Sequence, residues 1–256
     1  CPWRLCTFCY GNPYNHEKFQ RRTIEEVKKD ISNIKSIFEL LKTISLKLGY
    51  RGKININLTE NIFQYYPVLK HNHGLINILD WLYFDGKTVF LQDADSIILP
   101  TSELTEILRT LKSLFPQIER ITLYARAKTL LRKSVEEFKH LQRRGLTRLH
   151  VGLETGDDEL LKLTNKGVTA KEHIEAGTRV IDAGIELSEY VMPGLGGKTK
   201  SEQHALNTAK VLNKINPLYI RMRTFVPIVH TPLYDDYLKG KFILQSPHES
   251  LKEIKS

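Results

Sequence analysis

Three cysteines stand at Cys1, Cys6 and Cys9, and the remainder of the 256-residue chain contains none. An odd, clustered set cannot close a disulfide framework. It points instead to a reducing compartment and a metal site. Thiolates are soft ligands that hold zinc or iron–sulfur clusters. The run Cys1-Pro2-Trp3-Arg4-Leu5-Cys6-Thr7-Phe8-Cys9 has the spacing C-x4-C-x2-C. A structural zinc site closes with four protein ligands, and the nearest fourth candidate is His16. A four-iron cluster on three cysteines would keep one iron open to a substrate or cofactor. Buried free thiols are the remaining reading, and such dense spacing argues against it.

Further polar candidates follow the ends of apolar runs. Asp93 and Asp95 come just after Thr88–Gln92, and Arg126 after Arg120–Tyr124. Glu154 closes Arg148–Leu153, and Gly194, Leu195, Gly196 and Gly197 follow Leu187–Met192. A carboxylate at a strand tip can meet a cationic ligand, or, for Asp93 and Asp95 alike, cap a helix near Ser96. Glu154 can serve a ligand or form an ion pair with Arg126 or Lys128. The glycines allow a planar ligand close to the backbone, or simply make a turn. Phe8 offers apolar area to a ligand ring or to the core. Gly197-Lys198-Thr199 is not a phosphate loop, because Met192 stands where that pattern needs glycine.

These residues need a frame. Five β-rich runs (Thr88–Gln92, Arg120–Tyr124, Arg148–Leu153, Leu187–Met192, Leu218–Phe225) start about 30 residues apart. Helical patterns lie between them. One opens at Thr101 with Leu104, Ile107, Leu108 and Leu111 on one face; others run over Ser134–Leu141, Thr169–Ala183 and Thr199–Leu212. Alternating strands and helices imply a parallel sheet with helical cover, as a doubly wound sheet or a barrel. The front third differs. Thr23–Leu48 reads as one long helix, Thr59–Tyr65 and Gly74–Tyr83 as helices, and Lys53–Leu58 as a strand or loop.

Composition bounds the function. Hydrophobic residues make up 41% and charged residues 26%, which excludes wholesale disorder. No apolar run is long enough for a transmembrane helix, and a cytoplasmic location is expected. The net charge of +9 attracts anions: nucleic acid, phosphates or acidic partners.

With these motifs in order, the chain resembles the radical S-adenosylmethionine superfamily. The likeness is greatest to the core of the elongator catalytic subunit, coproporphyrinogen dehydrogenase and methylthiotransferases. Cys6-Thr7-Phe8-Cys9 matches the end of the family's C-x3-C-x-aromatic-C pattern, with the first spacing one residue longer. Gln92-Asp93-Ala94-Asp95-Ser96 holds the place of the segment that meets the cofactor's amino group. Gly152-Leu153-Glu154-Thr155-Gly156 is similar to the segment near its ribose. Met192-Pro193-Gly194-Leu195-Gly196-Gly197 is similar to the turn beside its adenine, and Arg223-Thr224-Phe225-Val226-Pro227 to the closing segment.

The resemblance implies an α/β fold, a partial (β/α)6 TIM-like barrel lacking its first strand because the chain starts at the cluster loop. Residues 1–235 would form the core, with 36–87 a helical insertion between the first and second βα units. Residues 236–256 would be a tail or the start of a truncated extension. Cys1, Cys6 and Cys9 would carry a 4Fe-4S cluster. Phe8, Asp93, Ala94, Asp95, Arg126, Glu154, Gly194, Leu195, Gly196 and Thr224 would surround S-adenosylmethionine. Reductive cleavage to a 5′-deoxyadenosyl radical would abstract hydrogen from an unidentified substrate. A ferredoxin or flavodoxin would supply electrons. The charge admits a tRNA substrate, although no aromatic-rich RNA module is evident, and no membrane partner is expected. The alternative is a non-catalytic zinc-binding or interaction module on an α/β scaffold; a phosphate-binding barrel enzyme is a third reading.

Overall fold

Capping chemistry sets the helix starts. The computed structural model describes residues 1–9, 19–92 and 94–255; Asp93 and His16 lie outside them. The chain divides into two compact units. One comprises Cys1–Gln20, Phe90–Thr101 and Thr122–Ser256; the other comprises Arg21–Val89 and Ser102–Ile121.

The second unit is helical. Helix α1 (Ile24–Lys47) starts with a reciprocal capping box between Thr23 and Glu26. The ambiguous Lys53–Leu58 stretch resolves into a short loop and the start of α2 (Ile56–Tyr65). Asn55 decides it: its side chain accepts the Leu58 N–H at 2.9 Å, so an N-cap overrides the β-branched residues beside it. A 3-10 turn (Pro67–His71) leads into α3 (His73–Tyr83). Leu41, Leu58, Ile62, Leu79 and Leu82 form the core of this unit. In α4 (Thr101–Leu114) the stripe Leu104, Ile107, Leu108 and Leu111 is buried as its spacing requires. Trp81 packs edge-on to Phe115 at 5.4 Å.

The first unit carries the sheet. Strands β1 (Thr88–Leu91), β2 (Arg120–Ala125), β3 (Leu146–Glu154), β4 (Glu186–Val191) and β5 (Tyr219–Met222) lie in the order β1-β2-β3-β4-β5. This is an α/β fold of five parallel strands. All five β-rich runs of the sequence became strands. Among the described residues no strand precedes β1.

Sequential parallel strands joined by right-handed crossovers place their helices on one face. Those helices include α5 (Ala127–Leu130), α6 (Val135–Arg143), α7 (Asp158–Leu163), α8 (Ala170–Asp182) and α9 (Ser201–Ile215). Leu149, Val151, Leu153 and Leu187 are buried at 1% exposure or less. Each such side chain contributes about 2 kcal/mol. Gly177 lets α8 approach: a Cβ there would stand 2.7 Å from Ile215 and 3.2 Å from Leu187. Helices α10 (Pro232–Leu238) and α11 (Pro247–Lys255) follow β5.

Candidate active site

The cysteine loop is tied down by its backbone. The Thr7 N–H donates to Thr164 O at the end of α7, and the Leu233 N–H in α10 donates to Thr7 O, both at 3.0 Å. The Cys9 N–H returns to Cys6 O at 3.3 Å, closing a turn. Phe8 sits in a buried cluster with Leu160, Leu195, Phe225 and Leu233, and Cys6 and Cys9 pack against it. All three cysteines are thiols rather than disulfides, and each is partly exposed. The Trp3 indole N–H donates to Asn165 O at 2.8 Å. The Trp3 ring fills the space beside Gly167, where a Cβ would come within 2.3 Å of it. Gly167 also has φ +73°, so two independent constraints demand glycine there.

Beside this loop, Glu154 ends β3 in a left-handed conformation (φ +63°) at an irregularity in the pairing with β4. Its Oε1 lies 3.1 Å from Lys166 Nζ, and both side chains are largely buried, at 15% and 8% exposure. The pair lies over Gly152, where a Cβ would be 2.4 Å from Glu154 Oε1. Lys166 Nζ also stands 5.8 Å over the Phe8 ring. Burial raises the Cys6 thiol above its ordinary pKa, and the cations Lys166 and Arg126 oppose that rise.

Arg126 places its guanidinium 5.0 Å from the Trp3 ring and donates to Lys166 O at 2.8 Å. Burial lowers its pKa, while Cys6 and Asp95 counteract. Asp95 is committed to the scaffold at the start of α5: it accepts the Arg126 N–H at 3.0 Å and the Thr129 hydroxyl at 2.7 Å, and its side chain does not cap the turn at Ser96. Burial still holds its pKa above the usual value.

The glycine turn faces the chain's own C-terminal helix. Gly194 (φ +85°) donates its N–H to Glu253 Oε1 at 2.7 Å. Glu253 also accepts from Ser201 and Gln245, both at 2.6 Å. Its Oε1 lies 3.5 Å from His204 Nε2, and burial lowers the pKa of that imidazole. Leu195 is fully buried, while Ala94 and Thr224 are exposed.

The structure thus brings Phe8, Cys6, Cys9, Arg126 and Glu154 together. The expected partner of Glu154 is corrected: Lys166 pairs with it, not Arg126 or Lys128, because the turn after α7 carries Lys166 back over β3. Lys128 pairs with Glu172 instead. Sequence reasoning missed Lys166. Its signal was a cation between turn formers in Asn165-Lys166-Gly167, which take φ +51° and +73° on either side of it.

Residues 65–209, more than half of the chain, match the Radical SAM superfamily. The chain belongs to the radical SAM superfamily. The matched stretch holds β1 through β4 and begins after the cysteine loop. The radical SAM chain is 25% identical, over 122 residues, to the tRNA uridine(34) acetyltransferase of Methanocaldococcus infernus. That match covers 47% of this chain and 23% of the relative, so the chain spans about a quarter of the relative's length. Its fold is similar to the archaeal Methanocaldococcus infernus Elp3, with TM-score 0.55 at 18% identity over 70% of this chain and 47% of that one. It is also similar to methylornithine synthase (PylB), with TM-score 0.57 at 16% identity over 98% of this chain and 58% of that one. These likenesses show the fold.

Three thiols within nine residues have the donor chemistry of an iron–sulfur cluster. Among the described residues no three Cys, His, Asp or Glu side chains gather around a single metal ion. A four-iron cluster instead takes each thiolate on a separate iron, and the cationic surroundings of Cys6 suit an anionic group. No helix among the described residues is long and apolar enough to cross a membrane.

Proposed function

We propose that Cys1, Cys6 and Cys9 hold a 4Fe-4S cluster and that S-adenosylmethionine lies beside Phe8, Arg126, Glu154, Lys166 and the Gly194–Gly196 turn. In this reading β1–β5 are the second to sixth strands of a partial (β/α)6 barrel. The supporting observation is the buried Glu154–Lys166 pair at the tip of β3, beside Cys6 on the Phe8 cluster. When bound, the cluster and S-adenosylmethionine would supply one-electron radical chemistry for hydrogen abstraction, with Cys1, Cys6 and Cys9 holding the cluster.

The protein's residues do the positioning. The Phe8 cluster packs against Cys6 and Cys9 and shields one side of them from water. Lys166 and Arg126 favour the deprotonated Cys6 that metal binding needs, and they offer donors to a carboxylate. Glu154 offers an acceptor for a ribose hydroxyl or an ammonium. A ferredoxin or flavodoxin would supply the electron. The tRNA-modifying relative and the net charge of +9 make RNA the first substrate class to test.

The test is product formation. After anaerobic reconstitution with iron and sulfide, dithionite should release 5′-deoxyadenosine from S-adenosylmethionine, and Cys9→Ala should abolish it. Equal product from wild type and Cys9→Ala would refute the assignment.

A further inference from the structure

One face of the sheet is clad by helices; the other carries a row of rings. Phe90 on β1 meets Tyr124 on β2 at 4.5 Å between ring centroids, and His150 on β3 at 5.4 Å. His150 meets Tyr190 on β4 at 5.7 Å. Arg221 on β5 completes the row, its guanidinium 5.8 Å from the Tyr190 ring centroid and 3.3 Å from the Tyr190 hydroxyl. The register agrees: Gly152, Tyr190 and Arg221 are aligned across β3, β4 and β5, as are His150, Ser188 and Tyr219. Alternation puts these side chains opposite the helix-packed Leu149, Val151 and Leu187.

The charges on this face are uneven. Arg148 lies 4.4 Å from the Tyr219 ring centroid and is neutralised by Glu186, 2.7 Å from its Nε. Among the described residues no carboxylate pairs with Arg221. It is solvent-exposed at the ends of β4 and β5, on the side of the sheet where Glu154 ends β3. The same face holds the Ser188 hydroxyl, fully buried and without a hydrogen-bond partner. An aromatic row with an uncompensated guanidinium at one end is a receptor for a flat ring that carries an anion.

We propose that this face is the substrate wall, and that it takes a nucleotide: a heterocycle stacked on the partly exposed rings of Tyr124 and Tyr190, backed by the buried His150, with its phosphate on Arg221. The inference rests on the radical reading above, since that chemistry needs a substrate at the strand tips. An aliphatic phosphate would leave the rings unused, and a neutral ring would leave Arg221 unused.

The test is calorimetric titration of the reconstituted protein with uridine 5′-monophosphate, uridine and ribose 5-phosphate. The nucleotide should bind about tenfold or more tightly than either half. Arg221→Gln should bring the nucleotide to the affinity of uridine. Tyr190→Ala should weaken both ring-bearing probes, and Tyr190→Phe should restore uridine binding, which separates lost stacking from lost folding. Ribose 5-phosphate binding as well as the nucleotide, or no nucleotide binding at millimolar concentration, would overturn the proposal. The iron content of the same wild-type preparation reports separately on the radical reading.

Discussion

Glu154 Oε1 and Lys166 Nζ lie 3.1 Å apart over a glycine, Gly152, that leaves room for no side chain beneath them. Removing one member of a buried pair strands the other charge, at a cost of about 3–5 kcal/mol. Lys166→Met should lower the denaturant midpoint accordingly, and Glu154→Gln/Lys166→Met should recover much of the loss. If the single and double variants are equally unstable, the pair is not the source of the effect.

Gly152→Ala should act on the same pair by crowding. The added Cβ would lie 2.4 Å from Glu154 Oε1, and overpacking of this kind costs about 1–3 kcal/mol. Thermal melts of Gly152→Ala in the wild-type and Glu154→Ala backgrounds check it: the penalty should shrink in the second.

His173 is fully buried on α8 with both ring nitrogens unpartnered, and burial pushes its pKa down to about 3. Between about pH 6.5 and that value the unfolded chain binds a proton that the folded chain refuses. Stability from this group is therefore lost as pH falls through that window, with a slope of up to about 1.4 kcal/mol per pH unit. His173→Leu should flatten the acid limb of stability against pH; an unchanged limb would show that His173 does not titrate this way.

Glu189 has the opposite sign. It is fully buried on β4 with both oxygens unpartnered, and burial, aided by Glu154, raises its pKa well above the ordinary value. The folded protein then keeps a proton that the unfolded chain has lost, so stability falls as pH rises from about 4.5 through the folded value. Glu189→Gln should remove that decline, as chemical denaturation at successive pH values from about 4.5 upward would show.

Much of this was legible locally. Short β-rich runs and capping residues placed β1–β5 and the start of α1, because both signals act within a few residues. Asn55 was harder to weigh against its β-branched neighbours, and its side-chain cap tipped the balance. What the sequence concealed depends on separation. Lys166 reaches Glu154 only because a turn with two positive-φ residues folds back over β3. The glycine turn reads as a ligand turn, yet its Gly194 amide is taken by Glu253 from α11, near the far end of the chain. No local pattern announces a partner so distant. Asp95 combined both: its position past a strand was plain, but its bonds to Arg126 and Thr129 required knowing where α5 begins.

Electron paramagnetic resonance of the reduced, reconstituted protein, with and without S-adenosylmethionine, probes the three-cysteine site itself. A 4Fe-4S signal is expected, with about four irons per chain, and it should change on adding S-adenosylmethionine because three cysteine ligands would leave one iron open. A zinc-loaded, signal-free protein, or a cluster signal indifferent to S-adenosylmethionine, would contradict the assignment.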